Sequence, residues 1–263
     1  MVYGNSMLPA VKEVNEDSIF IWIDILGFSK ELEKRDDYQS LKQVLLSFRE
    51  SFQMPIAHQA VISDGILLEI PYSKHHWDVA EIKRIFSNIA QKQLNFMLKQ
   101  KRVVRGGIAH GLPIFKTKQK LAEAQDKQDE HNEFDKDRMY ISDGLAKAYR
   151  IESKNSNWPI IGITEEELSE FRNKTKTANE DFGLRITYNE SGKKILFLHF
   201  AETLKPSQTI DSNVLELKWL IEEKLNPQNS IDERTRAKYF WILKYLKVTL
   251  GTNILDEYKE HIL

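Results

Sequence analysis

Ile19-Phe20-Ile21-Trp22-Ile23-Asp24-Ile25-Leu26-Gly27-Phe28 is the stretch on which the fold turns. It is an apolar run rich in β-branched and aromatic residues, so it reads as a buried central strand. One carboxylate interrupts it near its end, and a glycine-containing turn follows. An ionised aspartate there costs several kcal/mol unless something compensates it. A metal ion at the strand end is one compensation, because strand ends in α/β layers are where sites sit. For Asp24 taken alone, capping of a helix from Ser29 or exposure at the turn is the other reading.

The chain has 263 residues, 41% hydrophobic and 10% aromatic, with a formal charge of -1 and no cysteine. That suffices for one large domain or a domain with an appendage. Near-balanced charge gives no global field for nucleic acid or membranes, and the lack of thiols excludes disulfides, thiolate zinc sites and cysteine nucleophiles. Residues 1–17 read as a lead-in without a signal-peptide pattern, and no apolar run approaches the roughly 20 residues of a membrane span. These features predict a cytoplasmic protein with no membrane or nucleic-acid partner.

After strand one, Leu41, Val44, Leu45, Phe48 and Phe52 share one helical face, stopped at Met54-Pro55. Two apolar runs, 60–63 and 66–70, flank Asp64-Gly65 and predict a hairpin, with glycine supplying the positive φ of the turn. Asp64 alone is read as a turn residue. A long helix is expected from Trp77 to Lys99. Strand four follows over 102–111, where Gly106, Gly107 and Gly111 suggest close backbone approach or a bulge. Residues 118–138 mix both charge signs and read as a solvated excursion. A short helix is expected over Asp143–Glu152, a strand at 158–163, and a helix over 165–173 with Thr164 and Glu167 as a capping box. A hairpin (183–188, 194–200) and two helices close the chain.

The order β-α-β-β-α-β predicts an α+β, ferredoxin-like palm sheet with helices mainly on one face, followed by a C-terminal hairpin and helices. Strands one and three of that unit are its central pair, so the end of strand one lies beside the hairpin. Asp24 and Asp64, forty residues apart, become expected neighbours. Two such carboxylates repel and invite a divalent cation, magnesium or manganese for all-oxygen ligation.

Over residues 18–165 the chain resembles the catalytic domain of class III nucleotidyl cyclases, in particular divergent bacterial cyclase-like proteins. The resemblance rests on Ile23-Asp24-Ile25-Leu26-Gly27-Phe28, Ser63-Asp64-Gly65, Arg105-Gly106-Gly107-Ile108-Ala109-His110-Gly111 and the helix Leu145 to Glu152. It leaves 1–17 as lead-in and 166–263 as an extension. It implies cyclisation of a nucleoside triphosphate to a cyclic nucleotide, with release of pyrophosphate. Two divalent cations (Mg or Mn) would sit on Asp24, Asp64 and the Ile25 carbonyl, and the amides of Leu26, Gly27 and Phe28 would cradle phosphates. It also implies a homodimer with shared sites, the aspartates coming from one chain and polar helix residues from the other. Of the family's helix pair, Arg150 keeps the arginine that stabilises the transition state, whereas Ala146 replaces the asparagine. The other reading of Arg150 is a surface ion pair.

Ala60 stands where the family's purine-selecting lysine would fall, and Met139 near its adenine-selecting aspartate. The base is therefore open, a pyrimidine of antiphage signalling included. Arg105 either approaches phosphate or braces the sheet. His110 reads as a hydrogen-bonded structural residue, His75-His76 as solvated, and the aromatic segment 239–245 as packing or a dimer surface. Two further readings stand beside the cyclase: a catalytically degenerate nucleotide- or partner-binding module, and a nucleotidyltransferase palm using the same aspartates.

Overall fold

The computed structural model describes residues 17–28, 38–71, 78–116, 140–155, 158–188, 192–204, 212–226, 228 and 231–250. The expected excursion at 118–138, the pair His75-His76, Met139 and most of the lead-in lie outside the described residues. Strand β1 (Ser18–Ile25) is buried on both faces, as its composition predicts. Its alternation assigns the layers. Ile19, Ile21, Ile23 and Ile25 enter the main core, while Phe20 and Trp22 join a smaller cluster on the opposite face.

Helix α1 (Tyr38–Ser51) delivers Leu41, Val44 and Phe48 to the main core, and Phe52 follows just beyond its end. The hairpin is β2 (His58–Ile62) with β3 (Gly65–Pro71). Helix α2 (Val79–Gln100) is capped by Asp78, whose carboxylate accepts from the Glu81 amide at 2.8 Å; Lys101, in the left-handed region at φ 53, ends it. Strand β4 (Val104–Gly111) returns antiparallel to β1. These four strands stand in the order β2-β3-β1-β4, all neighbours antiparallel, which is the ferredoxin-like arrangement.

The sheet then continues. A small ribbon of β5 (Pro113–Lys116) and β6 (Tyr140–Ser142) leads into α3 (Asp143–Arg150) and a π-helical turn, Ile151–Asn155. Strand β7 (Ile161–Ile163) pairs parallel with β4, followed by α4 (Glu165–Thr175), β8 (Leu184–Tyr188) and β9 (Lys194–Leu198). The result is one seven-stranded sheet, β2-β3-β1-β4-β7-β9-β8. Helices α5 (Ser212–Leu225) and α6 (Glu233–Leu250) pack with α1, α2 and α4 into the main core, whereas α3 lies on the other face.

Thr164 caps α4 by accepting from the Glu167 amide at 3.3 Å. The reciprocal half of the expected box is absent. The Glu167 carboxylate accepts instead from the backbone N–H of His110 at 2.8 Å, beyond the last pair between β4 and β7, satisfying a buried donor on the strand edge. His110 is buried, with its Nε2 3.5 Å from Asp17 but without a hydrogen bond, and its pKa is lowered by burial.

The candidate site at the end of β1

Register brings the site together. Asp24 stands opposite Gly65 on one side and Arg105 on the other. The Ile25 N–H donates to the Asp64 carbonyl at 3.2 Å, tying the strand end to the hairpin turn. The Asp24 carboxyl is pushed up to about 6, first by burial and then by the negative charge of Asp64; Arg105 and, more weakly, Lys238 oppose the shift. The two aspartates are thus electrostatic neighbours, as the topology predicts.

The turn is made differently from expectation. Ser63, not Gly65, carries the positive φ, at 57°. Gly65 is required because the Trp22 indole lies over it: a Cβ there would fall 2.6 Å from the ring atom Cη2. A close approach rather than a dihedral selects the glycine.

Arg105 lies between two carboxylates. Its Nε and Nη2 each lie 3.4 Å from Asp24 Oδ2, and its Nε is also in ion-pair contact with the Glu152 carboxylate. Glu152 sits on the π-helical turn after α3 and is 2% exposed. Burial raises its carboxyl to about 7; Arg105 pulls it down, and the charges of Asp24 and Asp64 push it further up. Two carboxylates, Asp24 and Glu152, therefore share the Arg105 guanidinium, with the charge of Asp64 acting on both.

The glycines of β4 explain how Glu152 gets there. Gly107 and Gly111 lie on the same strand face as Arg105. A Cβ at Gly107 would collide with the Ala148 carbonyl and stand 2.9 Å from the Glu152 nitrogen; one at Gly111 would stand 2.5 Å from Gly144 Cα. Only hydrogen at both positions lets the α3 backbone lie directly on the strand.

The remaining candidates separate. Leu26 donates its N–H to the Val103 carbonyl at 3.0 Å, which leaves Gly27 (φ 81) and Phe28 as the amides a phosphate cradle would draw on. Phe28 is buried in the main core. Arg150 and Ala146 are exposed on α3, and among the described residues the Arg150 guanidinium pairs with neither aspartate nor with Glu152. Beside Arg150, Tyr149 sets its ring edge-on to Trp22 at 5.8 Å. Ala60 is half-buried on β2 against the smaller cluster.

Among the described residues, no group of three or more histidines or carboxylates is disposed as a self-sufficient metal cage. The donor chemistry fits a different arrangement. Two repelling carboxylates at a strand end suit a magnesium-like ion that takes its other ligands from outside the protein. Two contributors escape the sequence reading. Glu152 looks there like one more polar helix residue, and Lys238 belongs to a helix with no local link to the site; no spacing signal marks either.

No family model matches the chain, and no curated protein matches it in sequence. Among solved structures it is similar to the crystal structure of the adenylyl cyclase CyaB from P. aeruginosa, at 12% identity and a TM-score of 0.47, covering 70% of this chain and 94% of that one.

Proposed function

We propose that the chain is a metal-dependent nucleotidyl cyclase, converting a nucleoside triphosphate to a cyclic nucleotide with release of pyrophosphate. One observation carries this: Asp24 and Asp64 meet at the end of β1, and the charge of Asp64 raises the pKa of Asp24. That repulsion, offset in part by Arg105, is an electrostatic demand that divalent cations satisfy. When bound, such cations would neutralise triphosphate charge and help the ribose 3′-hydroxyl ionise. Asp24, Asp64 and the Ile25 carbonyl would hold them. The Gly27 and Phe28 amides and the Arg105 guanidinium would orient the phosphates, while the 3′-oxygen bonds to the α-phosphorus and the bond to pyrophosphate breaks. Arg150, exposed on its own chain, would serve the site of a second copy in a homodimer.

Incubation with each nucleoside triphosphate and manganese, followed by chromatography, tests the reading. A cyclic monophosphate that vanishes in Asp24→Ala and Asp64→Ala supports it; oligonucleotide products would point to the polymerase-like palm. The exposed Ala146, where the resemblance places an asparagine, favours a second reading, a nucleotide-binding module without turnover. Tight nucleotide binding without product over hours would establish that one instead.

A further inference from the structure

We propose that Glu152 is a positioning residue of this site: by holding the Arg105 guanidinium, it keeps Asp24 open to a divalent cation. The inference rests on the reading of Asp24 and Asp64 as cation ligands and adds a residue which that reading does not use.

Arg105 faces two carboxylates and divides itself unequally between them. Toward Asp24 it makes two long hydrogen bonds, at 3.4 Å to a single oxygen; toward Glu152 its Nε is in ion-pair contact with a carboxylate oxygen that has no hydrogen-bond partner of its own. Direct cross-strand register places Arg105 beside Asp24 whatever Glu152 does. Without a competitor, a guanidinium in that position closes on the carboxylate in a two-pronged pair and occupies the oxygens a cation needs. Glu152 is that competitor. Its side chain has almost no contact with water, so it depends on Arg105 as its counter-ion.

The placement of Glu152 is built into the fold. The α3 backbone rests on Gly107 with no room for a methyl group, and Gly144 rests likewise on the Phe20 ring, where a Cβ would lie 2.6 Å from Cε2. The chain then widens into the π-helical turn at Ile151–Asn155, which carries Glu152 over the strand that bears Arg105. Helix docking, strand register and the ion pair all act on one guanidinium.

The test is a manganese titration of the full chain, followed by electron paramagnetic resonance of the free ion, with circular dichroism to verify folding. Glu152→Gln leaves Arg105 to Asp24 and is expected to weaken manganese binding about tenfold, an effect of the size one charge supplies in a partly screened site. The double variant Arg105→Gln/Glu152→Gln removes both competitor and blocker, and is expected to bind within about threefold of the wild type. An E152Q variant that binds like the wild type overturns the inference. So does a double variant as weak as E152Q, which would make Glu152 a direct source of cation attraction. If E152Q does not fold, the double variant decides alone: binding retained supports the positioning role, binding lost refutes it. A wild-type chain that takes no manganese, with or without nucleoside triphosphate, overturns the functional reading and this inference with it. Wild-type binding with an indifferent E152Q overturns only the inference.

Discussion

Gly107→Ala is the sharpest perturbation of the surface on which the site is assembled. The added methyl would press into the Ala148 carbonyl oxygen and lie 2.9 Å from both the Glu152 nitrogen and Ile151 Cβ. Two of those three atoms are backbone, so no rotamer change relieves the clash, and α3 must lift from β4. Overpacking a well-packed site costs 1–3 kcal/mol, and a contact with immobile backbone belongs at the upper end, about 3 kcal/mol. Lifting α3 also draws Glu152 away from Arg105, so manganese binding should weaken in the same direction as in Glu152→Gln. Urea unfolding followed by far-UV circular dichroism reads the stability loss. Gly27→Ala is the control: its φ of 81° strains any side chain, yet nothing lies within 4 Å of the added methyl, so it should cost only about 1 kcal/mol. A Gly107→Ala chain within about 0.5 kcal/mol of the wild type would refute the direct docking of helix on strand.

Two further outcomes are expected. The Glu152 carboxyl is raised from 4.5 to about 7 and that of Asp24 from 3.8 to about 6, so in this range the folded chain holds protons that the unfolded chain has released. Stability should therefore fall as pH rises from about 4 to 7, by at most about 6 kcal/mol, and level off above; urea midpoints at pH 5 and 8 measure it, and an equally steep fall in Glu152→Gln would contradict the assignment. Asp64→Asn removes the charge that opposes ionisation of Asp24, and should stabilise the chain at pH 8 by about 1 kcal/mol while abolishing manganese binding. Calorimetry on the variant checks both effects, and a destabilised but manganese-binding protein would overturn the pairing of the two aspartates.

What could be read without coordinates follows from how local each determinant is. The central strand was legible because an unbroken apolar run leaves few alternatives, and α1 because five apolar residues share one face. The meeting of Asp24 with Asp64 was legible one step further out: a βαββαβ order places the first strand beside the hairpin, and the register bears that out. Gly107 and Gly111 announced a close approach, although not by what. Asp64-Gly65 suggests a dihedral requirement at Gly65, but its constraint comes from the Trp22 ring on the neighbouring strand rather than from its own φ. The spacing from Thr164 assigns Glu167 to its own helix cap, whereas a buried N–H on β4 takes its carboxylate.

Glu152 shows where sequence reading stops and why. In the sequence it is a polar residue near the end of an amphipathic helix, and a charged residue there is ordinarily solvated. Its burial depends on two glycines more than forty residues away that admit α3 to the strand, and its charge state on an arginine and two aspartates from three other segments. None of these has a fixed spacing from residue 152. The same holds for Lys238, whose charge reaches Asp24 only because α6 packs back onto the core of the sheet. The aspartates are marked by the strand and turn that carry them. The residues that tune them are marked only by packing, so a sequence that keeps Asp24 and Asp64 but loses Gly107 would keep the apparent motif and lose the charge arrangement around it.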